Sequence, residues 1–224
     1  MKKTTWIILF LIILFVNLIA VYSKYETLEF ISKLLLVPVL AAYLISQTAS
    51  FNSNLKPWLL IALFFSWVGD ILLMFEEKKS IFFLLGLGAF FIAQVFYIIF
   101  FHGIRMREYI RGNALFLLLV VVYYAILISI LSPHLGTLAL PVRIYGVVLS
   151  FMLLLAMHTT LGKNKKAGWW MMTGAILFVA SDSLLAFNKF LSPFDYAGII
   201  TMLTYGLAQL FITHGAVRYI RSES

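Results

Sequence analysis

Residues 113–132 read NALFLLLVVVYYAILISILS, twenty positions without one charged side chain. The hydrocarbon core of a bilayer is about 30 Å thick and takes about 20 apolar residues in an α-helix. A helix of a soluble protein keeps a polar face, and this stretch has none. Working outward from it, seven further runs of the same kind lie at 5–23, 28–47, 57–75, 80–101, 137–158, 168–187 and 195–215. Turn-forming residues mark the breaks: Asn52, Ser53, Asn54 and Pro57; Glu76 to Lys79; Ser132 and Pro133; Lys163 to Lys166; Ser192 and Pro193. Strict alternation of polar and apolar residues is missing, which argues against a β-barrel. The connections are too short for an inserted soluble domain. The sequence therefore predicts an all-α fold: one integral membrane domain over 1–224, a polytopic bundle of eight transmembrane helices.

Composition agrees. Hydrophobic residues make up 63% of the 224 and charged residues 12%, against about 25% charged in a soluble domain. Mean hydropathy is +1.02. A compact soluble body of this size cannot hide so much apolar surface. Disorder, collagen and a disulfide-stapled secreted domain are excluded. With no cysteine, the chain has no disulfide, thiolate nucleophile or thiolate metal site. The net charge of +8 is too scattered for a nucleic-acid surface and instead reports orientation. Eight spans put both termini on one side. That side carries eleven cations: Lys2, Lys3, Lys56, Arg105, Arg107, Arg111, Lys163, Lys165, Lys166, Arg218 and Arg221. The other carries five: Lys24, Lys78, Lys79, Arg143 and Lys189. The positive-inside rule predicts cytoplasmic termini, in a multi-pass protein of a bacterial inner membrane. Lys2 and Lys3 before the first span imitate a signal peptide. The apolar run is long and no clean small-x-small site follows it, so it reads as a retained helix.

A charge inside hydrocarbon costs about 2.5–3.5 kcal/mol on insertion scales, which makes it a functional candidate. Of nine acids, only Asp70 and Asp182 fall within spans rather than in loops or at span ends. Each lies about five residues before the outer end of its run, roughly 8 Å below the boundary at 1.5 Å per residue. Lys33 and Arg143 enter their spans from the same side, and Asn17 sits at a similar level. Four helices thus place ionisable groups in one formally neutral layer. Two plainer readings stand beside a functional one. The charges form salt bridges that only hold helices together, or the cations snorkel outward.

The surroundings of the two aspartates are alike. Asp70 stands in FFSWVGDILLMF (64–75) and Asp182 in GAILFVASDSLLAF (174–187), both containing Asp-x-Leu-Leu-x-Phe. Downstream, AQVF (93–96) resembles AQLF (208–211), and upstream Lys33 and Arg143 precede the aspartates by 37 and 39 residues. Each half reads cation, aspartate, glutamine on its second, third and fourth helix. This pattern is that of a degenerate four-plus-four repeat whose halves run in the same direction, with a site between them. Coincidence among Leu- and Phe-rich helices is the alternative.

An ordered set of blocks resembles the lysoplasmalogenase (YhhN-like) family. They are Lys33 to Pro38 in ISKLLLVPVL (31–40), SWVGD (66–70) followed by Leu72, Leu73 and Met74, and GLGAFFIAQVFYIIF (86–100). Further on come Pro141 to Tyr145 with Met152, Gly174 with Leu177, Phe178, Ser181 and Asp182, and lastly Tyr205 with Gln209. The resemblance covers roughly 28–215. It implies an eight-helix membrane enzyme that hydrolyses the vinyl-ether bond of lysoplasmalogens, releasing a fatty aldehyde and a glycerophospho-ethanolamine or -choline. Family members typically carry His where this chain has Gln94, followed by Tyr97. A glutamine can orient a water or a head group but cannot shuttle a proton at neutral pH.

Vinyl-ether hydrolysis asks for a protonated carboxyl as acid and a carboxylate to steady the oxocarbenium-like cation and activate water. Glycoside hydrolysis divides the labour the same way. Asp70 and Asp182 are the catalytic candidates, with Asp70 preferred as the acid because Gly69 beside it permits close approach of a helix or substrate. Lys33 and Arg143 are candidates to bind phosphate or tune the aspartates. Tyr97, Tyr145, Tyr205, Gln94, Gln209 and Asn17 complete the expected substrate-binding set, although tyrosines in such a chain also serve helix packing. His102, His134, His158 and His214 lack metal-ligand spacing and read as structural or surface residues. No metal or cofactor is expected, and the partner is a lysophospholipid drawn from membrane lipid. Three other readings fit parts of the pattern. A proton-coupled transporter also uses intramembrane acids and repeats. An intramembrane aspartyl protease has a Gly-x-Gly-Asp motif, but residue 67 is Trp. Another ether- or ester-lipid hydrolase on the same fold is the third, and the chain offers no Gly-x-Ser-x-Gly elbow of a serine lipase.

Overall fold

The computed structural model describes residues 3–76 and 78–222. Lys2, counted among the cations, and Glu77, in the break after the third span, lie outside the described residues. Among the described residues the secondary structure is helical, and eight helices are long and apolar enough to cross a membrane. They are α1 (Lys3–Ser23), α2 (Glu26–Gln47), α3 (Lys56–Leu73), α4 (Ile81–Arg107), α5 (Ala114–Leu131), α6 (Ala139–His158), α7 (Lys165–Ala186) and α8 (Ala197–Ile220). Every expected span coincides with one of them, most within three residues at either end. The larger differences are α4 and α8, which run about a turn and a half further at their C-terminal ends than the apolar count implies, into His102–Arg107 and Ala216–Ile220.

The chain divides into two compact units. The first holds α1 to α3, α4 as far as Phe100, and α8 from Ala216 onward. α1 ends with Lys24 in the left-handed region, at φ 54°. The Tyr25 N–H bonds to the Ala20 carbonyl at 3.0 Å, and that of Lys24 to Val21 at 3.3 Å. This closing pattern satisfies terminal carbonyls and turns the chain straight back into α2. Asn17 ties the hairpin, since its Nδ2 donates to Ser32 Oγ at 2.9 Å and to the Glu29 carbonyl at 3.3 Å. α2 contains Pro38. Proline has no N–H to give to the carbonyl four residues earlier, which is Leu34. The indole of Trp67 on α3 donates to that carbonyl at 3.0 Å. In a membrane, where an orphaned carbonyl finds no water, such a bond from a neighbouring helix keeps a proline tolerable inside a span.

The second unit runs Phe101–Gly215. Asn113 caps α5, its Oδ1 accepting from the N–H groups of Leu115 at 2.9 Å and Phe116 at 3.4 Å. Asn164 does the same for α7 through Ala167, at 3.1 Å. Most of α5 faces outward, with Leu115, Leu117, Leu118, Leu119, Val121, Val122 and Ile126 exposed. That is the surface a lipid-facing helix presents. α7 and α8 meet without side chains between them at Gly174. A Cβ there would stand 2.7 Å from the Ile212 nitrogen and 2.8 Å from the Ala208 oxygen. Small residues let membrane helices approach in this way. After Ala186 the helix loosens into one π turn, Phe187–Leu191.

Candidate active site

In the first unit, α3 ends at Leu73, three residues beyond Asp70. Asp70 is only 4% exposed and Ser66, one turn earlier on the same face, is fully buried. α4 approaches at Gly69, where a Cβ would lie 2.7 Å from the ring of Phe90. The close approach expected beside Asp70 is therefore made by a helix, with Phe90 lying against the glycine. One turn further along α4, Gln94 is fully buried, and neither its Oε1 nor its Nε2 meets a protein partner. Ser66 Oγ and Asn17 Oδ1 are likewise buried without one. Tyr97 is fully buried on α4, and Lys33 on α2 is half-buried.

The second unit treats its aspartate differently. Asp182 on α7 is half-buried, and the buried Tyr145 on α6 donates its hydroxyl to Asp182 Oδ2 at 2.5 Å. The flanking serines are bonded too. Ser181 Oγ donates to the Thr201 carbonyl on α8 at 3.0 Å. Ser183 Oγ shares a 2.8 Å bond with Tyr123 on α5 and donates to the Val179 carbonyl at 2.7 Å. Three consecutive side chains of α7 thus reach three different helices. Tyr205 stands edge-on to Phe178, centroids 5.6 Å apart, and accepts from Gln209 Nε2 at 3.2 Å.

One expectation is corrected. The layer of four sequestered charges does not hold for Arg143, which is exposed and donates to Ser132 Oγ at 3.2 Å. It is the fifth residue of α6, and helical side chains lean toward the N-terminus of their own helix. A long guanidinium so placed extends beyond the helix end instead of into the bundle. The snorkelling alternative describes it. Of the histidines, His158 is engaged at both nitrogens. Nδ1 lies 2.7 Å from the Leu154 carbonyl and Nε2 accepts from the Asn113 N–H at 3.0 Å. His214 packs edge-on against Trp170, 5.1 Å between centroids.

Sequence reasoning passed over Ser66, Ser32, Tyr123 and Ser183. Ser66 had a legible signal, standing one helical turn before an intramembrane aspartate. The Trp67 bond was foreshadowed by Pro38, since a mid-span proline always leaves a carbonyl in want of a donor. Nothing local pointed to Tyr123.

Eight membrane-length helices with carboxyl groups inside two of them define a multi-pass integral membrane protein. The chain belongs to the YhhN family, whose model matches residues 28–216. It is similar to the lysoplasmalogenase TMEM86B of Rattus norvegicus, 36% identical over 163 residues, which is 72% of this chain and 62% of that protein. The lysoplasmalogenase TMEM86B of Homo sapiens is 34% identical over 158 residues, 70% of this chain and 62% of that protein. The lysoplasmalogenase of Mycobacterium tuberculosis (strain CDC 1551 / Oshkosh) is 32% identical over 163 residues, 71% of this chain and 60% of that protein. The match thus spans about three fifths of the length of these relatives. No solved structure matches the chain.

Proposed function

We propose that this protein is a membrane-embedded lysoplasmalogenase that hydrolyses the vinyl-ether bond of lysoplasmalogens, with Asp70 and Asp182 as its acid–base pair. The observation that carries the reading is the pair of span-borne carboxyls in one repeated context, in a chain whose matched relatives are lysoplasmalogenases. The Asp70 carboxyl gives its proton to the outer carbon of the alkenyl group. The carbon bearing the ether oxygen becomes cationic and a carboxylate steadies it. Water adds to that carbon and yields a proton to a carboxylate. The hemiacetal then breaks its bond to the glycerol oxygen, which takes up a proton, and the aldehyde leaves. Asp182, accepting the Tyr145 hydroxyl, is the carboxylate of the pair. General acid–base help of this kind contributes about 10²–10⁴-fold.

Lys33 and the exposed Arg143 are the cations for the head-group phosphate. Tyr97 and Tyr205 are the candidate donors to the head group, and Gln209 and Asn17 complete the candidate substrate-binding set. Both termini face the cytoplasm of a bacterial inner membrane, as the basic residues direct. The test is aldehyde release from a 1-alkenyl lysophospholipid by detergent-purified protein, against matched 1-acyl and 1-alkyl lysolipids, with Asp70→Asn and Asp182→Asn alongside. Release from the alkenyl lipid alone, lost in both variants, establishes the activity and the pair. No release from folded wild type overturns the reading.

A further inference from the structure

We infer that Ser66 and Gln94 form a polar subsite in the first unit that holds the water consumed by the reaction. The inference rests on the proposed hydrolysis and names two residues for its nucleophile. Gln94 is fully buried, and both ends of its amide lack a protein partner, so the pattern is the same whichever way the amide is turned. Ser66 is also fully buried, and its hydroxyl does not bond back to its own helix, as those of Ser32, Thr48, Ser183 and Thr204 do. Buried polar atoms are nearly always hydrogen-bonded, and an amide with both ends open is the costlier exception.

The two residues lie on faces that α3 and α4 turn toward each other. Gly69 meets Phe90 there. Ser66 is three residues before Gly69, and Gln94 is four after Phe90, so both flank the contact. The Gln94 side chain leans toward the start of α4, which is the direction of Phe90 and Gly69. Asp70 stands one turn from Ser66 on the same face of α3. Three orphaned atoms, two able to donate and two able to accept, match the two to four partners that a buried water takes. The amide oxygen and the serine oxygen accept the water's protons. The amide N–H donates to its oxygen. In the reaction that oxygen forms its bond to the cationic carbon and a water proton passes to a carboxylate. Glutamine suits this task because it orients a water at neutral pH without titrating.

In the second unit, the buried atoms without a partner are single hydroxyls, on Ser150 and Thr213. Thr213→Val therefore serves as a control for removing an orphaned buried group. Gln94→Met keeps the length of the side chain and removes both polar ends. Ser66→Ala is the milder variant, should Gln94→Met fold poorly. Two readouts are taken on purified protein whose melting is checked. The first is kcat and KM for aldehyde release. The second is independent of turnover: the infrared O–H stretch of non-bulk water, recognised by its shift in H₂¹⁸O.

The expected result is a fall in kcat of about 10²-fold for Gln94→Met and about 10-fold for Ser66→Ala, with KM within about twofold, in line with the loss of one positioned donor. The shifted band disappears in both variants, and Thr213→Val retains band and kcat. Turnover retained in Gln94→Met overturns the role whatever the band does. Absence of the band from wild type overturns the subsite. A wild type that shows the band but releases no aldehyde keeps the bound water and overturns the hydrolytic reading alone.

Discussion

Asp70 and Asp182 open the same six-residue pattern on helices of similar composition, yet the protein surrounds them differently. Asp182 is half-buried and held by a tyrosine hydroxyl, between two serines that bond to other helices. Asp70 is buried, and around it stand the groups left without partners, Ser66 one turn before and Gln94 across the contact at Gly69. The serines beside Asp182 are hydrogen-bonded, whereas Ser66 and Gln94 leave polar capacity over. A saturated network fixes a group in one geometry, whereas leftover capacity is what a small polar ligand uses. The shared six-residue pattern therefore does not carry one degree of burial or one set of neighbours with it.

The sharpest way to break this comparison is to neutralise each carboxyl. Asp70→Asn and Asp182→Asn are each expected to lower aldehyde release by about 10²–10⁴-fold, the usual reach of general acid–base help. A variant that keeps near-full rate removes its aspartate from the chemistry. Next comes Tyr145→Phe, which deletes the hydroxyl that donates to Asp182. A hydrogen bond to a charged group is worth about 1.5–3 kcal/mol, so kcat should fall about 10- to 100-fold, while Tyr124→Phe, whose hydroxyl donates to the Arg143 carbonyl at 3.3 Å, should cost less. Equal losses in the two would deny Tyr145 its special place.

Stability gives a smaller and separate test. Trp67→Phe orphans the Leu34 carbonyl and is expected to cost about 1–3 kcal/mol in a detergent unfolding titration. In a Pro38→Ala background the missing N–H returns to α2, and the cost of Trp67→Phe should shrink toward that of lost packing. Additive losses in that cycle would disprove the pairing. Ser183→Ala removes the bond to Tyr123 beside Asp182, for about 0.5–1.5 kcal/mol, with turnover close to wild type. The smallest effect is a gain. Lys24 holds a left-handed conformation that costs an ordinary residue about 1–2 kcal/mol, and the greater freedom of glycine in the unfolded chain offsets roughly 0.5–1 kcal/mol of that, so Lys24→Gly should raise the melting temperature only slightly. A lower melting temperature would mean that the Lys24 side chain stabilises the turn in some other way.

The number of helices was legible because hydropathy is local: about 20 apolar residues spell a span whatever surrounds them. The same holds for the two aspartates, whose oddity lies in where they stand along the chain. Arg143 was misread for a definite reason. Distance along a span does not say which way a long side chain leans, and five residues into a helix a guanidinium still reaches past its end. The overlong α4 and α8 were missed because their last turns, bearing Arg105, Arg107 and Arg218, continue as helix after the apolar run has stopped.

By itself, the sequence determined an all-helical membrane protein of eight spans with two carboxyls inside them. Those properties follow from the transfer of each segment from water to hydrocarbon, which depends on the segment alone. Only the tertiary structure decided that Trp67 serves the Leu34 carbonyl, that Tyr145 holds Asp182, and that Gln94 and Ser66 are left with hydrogen bonds to make. Those outcomes depend on which helix faces turn toward which. That is settled by close contacts such as Gly69 on Phe90 and Gly174 on Ile212, between residues far apart in the chain.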